Sequence, residues 1–210
     1  PPLYGIFLML LGFIPRADII IHILQLCMLA GTGMLLYTML KSFIPKPMAR
    51  ITAYLFIFFP TNVIFVSSMM TEIPAQFLFT LLTYLLHRFT QSRNISYLSH
   101  AVFLSAVMTL LKYQFLFMTL FSLGLFAYVF FQRHVKRIVR IFPVAVGVGI
   151  LLLWVIANHA VTGVWGLSDT RKMPFYTNFV WDGKHFPKET DPAVIALRTF
   201  VPPAAINTRE

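Results

Sequence analysis

The chain has 210 residues, of which 58% are hydrophobic and 11% charged, with a formal net charge of +10. A soluble domain carries about a quarter charged residues, so these proportions exclude an ordinary soluble globular fold. One cysteine, Cys27, rules out an intrachain disulfide, and six scattered histidines form no metal-ligand cluster, so a divalent metal is not indicated.

The apolar residues come in blocks of about 20, the length that crosses roughly 30 Å of hydrocarbon. Residues 3–14 are apolar but too short to span and read as a short interfacial or re-entrant helix. A first full span is expected from about Ile19 to Leu40, followed by a basic loop with Lys41, Lys46 and Arg50. The second span covers about Ile51 to Ser68, and Pro60 inside it predicts a kink. Thr71 and Glu72 precede a third apolar block, Ile73 to Leu86, with Thr71 as expected N-cap and Pro74 in the first turn. His87, Arg88 and Arg93 then make a second basic loop.

Residues 97–131 carry a single charge, Lys112. A straight helix of that length would run about 52 Å, too long for a bilayer, so two helices meeting near Lys112 are expected. A third basic loop holds Arg133, Lys136, Arg137 and Arg140, and the last span is about Ile141 to Asn158. The expected fold is therefore an all-α polytopic transmembrane bundle of about six spans or half-spans. It comprises a membrane region, 1–158, and a polar segment, 159–210, read as a non-cytoplasmic loop or the start of a soluble region.

The three basic loops hold nine of the 17 Lys and Arg residues and no acid. Cytoplasmic loops concentrate Lys and Arg, and placing all three there needs an even number of crossings between them. The second and third blocks supply two, and the break at Lys112 supplies two more. The +10 charge is then a topology signal rather than a nucleic-acid surface. The sequon Asn94-Ile95-Ser96 falls on the cytoplasmic side and is expected to stay unmodified.

The outer side collects three features that bear on chemistry: Pro1-Pro2-Leu3-Tyr4, Thr71-Glu72 and Lys112-Tyr113-Gln114. A Lys within an apolar stretch is costly and is by default a functional candidate. At the headgroup level it would suit the phosphate of a lipid-linked substrate, with Glu72 beside it to accept a proton or orient a hydroxyl. The plainer readings are a helix-dipole cap for Glu72 and a snorkelling side chain for Lys112.

The order of these motifs resembles the C-type integral membrane glycosyltransferases, in particular bacterial relatives of the dolichyl-phosphate-mannose protein mannosyltransferases. The resemblance rests on Pro1 to Tyr4 before a short helix, on Thr71-Glu72 opening a helix after Phe59-Pro60, and on Leu110-Leu111-Lys112 ending a leucine-rich helix. Asn158 to Ser168, with Thr162-Gly163 and Gly166-Leu167, resembles a loop after a late span, and coverage is about residues 1–170. It departs from the family pattern in having Lys112-Tyr113 where Arg-Pro is commoner.

The resemblance implies inverting transfer of a sugar from a polyprenyl-phosphate donor to a glycan, lipid or protein acceptor. The transfer would occur on the face of a bacterial inner or plasma membrane away from the cytoplasm. It implies Pro2, Tyr4, Glu72, Lys112, Tyr113 and Gln114 as substrate-binding residues, with Glu72 also a candidate catalytic group. The family's usual catalytic Asp is expected upstream of Pro1, because the start reads as cut, and Asp18 reads as a helix cap. In the tail, Asp169, Arg171, Lys172, Tyr176, Trp181, Asp182 and His185 read as an aromatic belt and solvated charges in preference to the alternative, in which the Trp and Tyr rings stack on a sugar. Two other classes compete: a transporter or flippase of lipid-linked saccharide, which would need polar residues deep in several spans, and a non-catalytic membrane subunit.

Overall fold

A computed structural model of the chain describes Leu3, Ile6 and residues 16–67, 71–133, 140–163 and 165–167. Every regular element among the described residues is helical. In chain order these are α1 (Ala17–Leu40), α2 (Lys46–Ile57), α3 (Pro60–Ser67), α4 (Glu72–Ser92), α5 (Ile95–Leu111), a 3-10 turn (Tyr113–Phe115), α6 (Leu116–Arg133) and α7 (Phe142–Thr162). The chain divides into two compact units, Pro1–Ile156 and Ala157–Glu210.

Three stretches are long and apolar enough to cross a membrane: Asp18–Leu40, Tyr113–Gln132 and Phe142–Ala160. The pair α2 and α3, bent by 44° at the expected Pro60 break, passes the same test together, as a broken span or a re-entrant loop, which brings the spans among the described residues to three or four. α5 is apolar but has 17 residues. α4 has 21 residues, with polar side chains towards both ends. The break at Lys112 falls where the length argument puts it.

Several expected boundaries shift. Lys46 and Arg50 lie on α2 rather than in a loop, because Pro47 in the first turn leaves no needed N–H unpaired. His87 and Arg88 likewise belong to α4, which ends at Arg93 in a left-handed conformation. Charge marks where a helix leaves hydrocarbon, and the helix itself continues past that point. α7 runs to Thr162, beyond the expected Asn158, and Gly163 at φ 72° donates its N–H to His159 O at 2.7 Å to close it.

Two expected caps are corrected. Thr71 occupies the N-cap position of α4 but makes no side-chain cap bond. Its φ of −73° and ψ of −7° are helical, whereas a capping side chain needs an extended backbone to reach the first turn. Asp18 lies inside the first turn of α1, and the cap residue is Arg16 in a left-handed conformation. Asn94 does cap α5, its Oδ1 accepting from Ser96 N at 3.1 Å.

α5 is the centre of the bundle. Leu98, Ala101, Val102 and Met108 are fully buried, against Leu82 and Phe89 of α4, Phe126 and Val129 of α6 and Val144 of α7. Lipid tails are as apolar as these side chains, so close van der Waals fit rather than exclusion of water holds such helices together. Fit is tightest where side chains are absent. A Cβ on Gly147 of α7 would lie 3.0 Å from Phe103 Cα on α5, and one on Gly33 of α1 would collide with Ile57 of α2. The outward faces present Ile23, Leu26, Met34, Leu55, Phe117, Leu120, Leu152 and Leu153, all exposed. That apolar surface suits a bilayer as solvent.

The helix interiors hold several buried polar side chains, among them Thr32, Asn62, Ser99, Ser105 and Thr109. The hydroxyls of Thr32, Ser99, Ser105 and Thr109 each donate to a carbonyl one turn back, at 2.8 to 3.0 Å. These bonds stay within their own helices, and Thr109 Oγ1 also meets Thr119 Oγ1 of α6 at 2.8 Å.

Asn62 answers a different need. Pro60 lacks the N–H that would bond to Phe56 O, and Asn62 Nδ2 donates to that carbonyl at 2.6 Å. Gln76 Nε2 of α4 donates to Asn62 Oδ1 at 3.3 Å, which ties the bend to the first turns of α4.

Candidate functional site

The site is built at one end of the bundle. α4 rises about 30 Å from Glu72 to Ser92 at 1.5 Å per residue, so its two termini mark opposite ends of the bundle. At its C-terminal end Ser42 Oγ lies 3.2 Å from His87 Nε2, and the Arg88 guanidinium lies 5.8 Å from the Tyr97 ring centre. The basic segments around 41–46 and 88–93 therefore share one end. Glu72, Lys112 and the start of α1 share the other.

Lys112 is where α5 stops. Its N–H still donates to Met108 O at 2.8 Å, but its own φ and ψ, −146° and 117°, are extended and turn the chain out of the helix. The 3-10 turn Tyr113–Phe115 then leads into α6. Lys112 Nζ donates to Glu72 Oε1 at 2.7 Å, with the side chains 22% and 32% exposed respectively. The two charged residues singled out in the sequence thus form one ion pair, joining the N-terminus of α4 to the C-terminus of α5. An ammonium has three N–H donors, and Glu72 occupies one of them.

An apolar cavity of about 230 Å³ lies towards the same end of the bundle. Ile21, Leu24, Gln25 and Met28 of α1, Pro74 and Leu78 of α4, Leu111 of α5 and Leu3 line it. Leu111 directly precedes Lys112, and Pro74 follows Glu72 by two residues. The ion pair and the apolar slot thus draw on neighbouring residues of α4 and α5, a combination that a lipid with an anionic head requires.

His22 fastens the same end. Its Nδ1 lies 2.7 Å from Asp18 O and its Nε2 3.3 Å from Ser67 O, linking α1 to the end of α3. Asp18 takes part through its backbone carbonyl, and its carboxylate is no element of the pair.

The other expected residues fare differently. Tyr113 is 49% exposed and Gln114 is also exposed, both on the turn after Lys112, where they face outward from the ion pair's end of the bundle. Pro2 and Tyr4 lie outside the described residues, as do all seven tail residues from Asp169 to His185. Among the described residues no group of three or more His, Cys, Asp or Glu side chains could hold a metal ion. Asn62, His22 and Gln76 are the contributors that sequence reasoning missed or undervalued. The available signal was Asn two places after a proline inside an apolar block.

In the segment after the last span, Asn158 Nδ2 donates to Gly166 O at 2.9 Å, and the His159 and Trp165 rings stack at 3.9 Å. The turn that follows α7 is thus an ordered element with its own contacts.

Apolar helices of spanning length, with an ion pair and an apolar cavity at one end of the bundle, define an integral membrane protein. Residues 2–161 match the model of the family described as dolichyl-phosphate-mannose-protein mannosyltransferase. The chain belongs to that family and is a membrane glycosyltransferase of the C-type class. No curated protein matches the chain, and no solved structure does.

Proposed function

We propose that the protein transfers a sugar from a polyprenyl-phosphate carrier to an acceptor on the membrane face away from the cytoplasm, and that Lys112 holds the carrier phosphate. The observation that supports this most is the Lys112–Glu72 pair, 2.7 Å apart, next in the chain to Leu111 and close to Pro74, which line the apolar cavity between α1, α4 and α5. The first isoprene units would occupy the cavity, and the phosphate would take the two Lys112 N–H donors that Glu72 leaves open. Glu72 is then a positioning residue: it fixes the ammonium by a charge-assisted bond and does not touch the sugar.

In the transfer, the acceptor hydroxyl forms a bond to the anomeric carbon on the side opposite the phosphate. The bond from that carbon to the phosphate oxygen breaks, the configuration inverts, and the hydroxyl proton goes to a base. The leaving polyprenyl phosphate gains charge as it departs, and Lys112 is placed to stabilise that charge. Tyr113 and Gln114, on the exposed turn, are proposed to contact the sugar or acceptor. The membrane region 1–158 carries this site, and the segment 159–210 lies on the same side as the acceptor.

The test is donor binding to the complete protein, measured with a polyprenyl-phosphate sugar in mild detergent. A charge-assisted hydrogen bond is worth about 1.5–3 kcal/mol, so Lys112→Ala should weaken binding by about 10- to 100-fold, and Lys112→Arg should keep most of it. Donor affinity unchanged in Lys112→Ala would remove Lys112 from the phosphate site.

A further inference from the structure

A second cavity, of about 320 Å³, lies between α1 and α2. Tyr37 and Arg50 line it, and both sit near the end of the bundle that carries the basic segments. We propose that it binds an anionic phospholipid of the bilayer, with the headgroup phosphate on Arg50 and the upper part of an acyl chain against Gly33 and Ala53. This site is independent of the sugar-transfer reading and opposite to it in the bundle.

The cavity has the graded chemistry of such a ligand. Gly33, Ala53 and Ile57 form an apolar floor, and the missing side chain at Gly33 lets α1 and α2 approach there. Towards the end that carries the basic segments, Tyr37 and Arg50 line it with a phenol and a guanidinium, and Tyr54 stands a turn deeper, level with Ala53. The Lys41 ammonium stands 5.9 Å from the centre of the Tyr37 ring, so a second cation borders the polar end. Met34 and Tyr54, also in the lining, are 72% and 55% exposed on the lipid-facing surface, so a chain can enter sideways from the bilayer.

Charge selects the headgroup. The segment from Lys41 to Arg50 holds three basic residues and no acid. Among the described residues, the carboxylate that forms a side-chain salt bridge is Glu72, at the other end of α4, and its partner is Lys112. An arginine fork matches phosphate oxygens, and no carboxylate is among the lining residues, so a choline or ethanolamine ammonium would meet only the Tyr37 and Tyr54 rings while being repelled by Arg50 and Lys41. A lipid with net negative charge, such as phosphatidylglycerol, is therefore favoured over a zwitterionic one.

The complete protein, purified in neutral detergent, is mixed with phosphatidylglycerol or phosphatidylcholine and bound lipid is counted by native mass spectrometry. The wild type should retain phosphatidylglycerol in preference. Arg50→Gln should lower that retention about fivefold, the factor one basic residue contributes at a membrane surface, and Arg50→Lys should keep most of it. Ala30→Phe, which fills the cavity without altering charge, should lower it as well, and Arg88→Gln in the neighbouring basic segment should not. A photoreactive phosphatidylglycerol should crosslink the wild type within residues 30–57, a readout that needs no variant to fold. The proposal is overturned by a wild type without preference, by Ala30→Phe retaining lipid, by Arg88→Gln losing as much as Arg50→Gln, or by crosslinks outside that segment.

Discussion

Lys112 Nζ lies 2.7 Å from Glu72 Oε1 across a separation of forty residues, and the contact joins the end of one central helix to the beginning of its neighbour. Both side chains keep part of their surface exposed, so their attraction is screened. A partly exposed pair is worth about 0.2–1 kcal/mol. A double-mutant cycle with Glu72→Gln and Lys112→Met, read by equilibrium unfolding in mixed micelles, should return a coupling in that range. A coupling of zero would mean that the pair orders the site without stabilising the fold.

The bend at Pro60 yields a compensation test. Asn62→Leu removes the 2.6 Å donor to the Phe56 carbonyl, which keeps only the longer bond from Phe59 N–H at 3.3 Å, so it should cost about 0.5–1.5 kcal/mol and lower the melting temperature. Pro60→Ala returns a backbone N–H to the same carbonyl, so the double variant Pro60→Ala with Asn62→Leu should recover much of the loss. If the double variant is no more stable than Asn62→Leu, the side chain is not standing in for the proline's absent amide.

Two glycines of α7 should respond oppositely to the same change. A Cβ at Gly147 meets backbone, Phe103 Cα at 3.0 Å, while one at Gly149 meets nothing within 4 Å. Gly147→Ala should destabilise by about 1–3 kcal/mol, as overpacking does, and Gly149→Ala should show no loss. Equal melting temperatures for the two variants would show that α5 and α7 can part at Gly147 without penalty.

The direction of insertion is tested by labelling. In a Cys27→Ser background, which removes the exposed native thiol, Pro45→Cys and Gln91→Cys should react with an impermeant maleimide from the cytoplasmic side alone. Gln114→Cys should react from the opposite side. Labelling of position 45 or 91 from outside would invert the orientation and move the proposed transfer to the cytoplasmic face.

The helical blocks, the kink at Pro60 and the break at Lys112 were all legible in the sequence, because each follows from length, apolarity or the chemistry of proline. Glu72 and Lys112 were legible as candidates, since charge beside hydrocarbon demands a reason. Their mutual contact was not, because it depends on how α4 and α5 pack. The bond from Asn62 to Phe56 was hidden for a similar reason: an asparagine in an apolar block looks incidental until the carbonyl freed by Pro60 is located. Helix ends were misjudged wherever a basic residue was taken as the start of a loop, as at Lys46, Arg50 and Arg88.

α5 is short for its position. Seventeen residues rise about 25 Å, against roughly 30 Å of hydrocarbon. A helix with this mismatch draws the bilayer thinner around itself or draws interfacial groups inward. Because Lys112 terminates it, the membrane should be locally depressed over the ion pair, and a donor headgroup would descend to the enzyme rather than the enzyme reaching up to it. Lipid acyl length thereby becomes a control on turnover: reconstitution in bilayers of progressively longer chains should slow transfer as the depression deepens, with no residue of the protein altered.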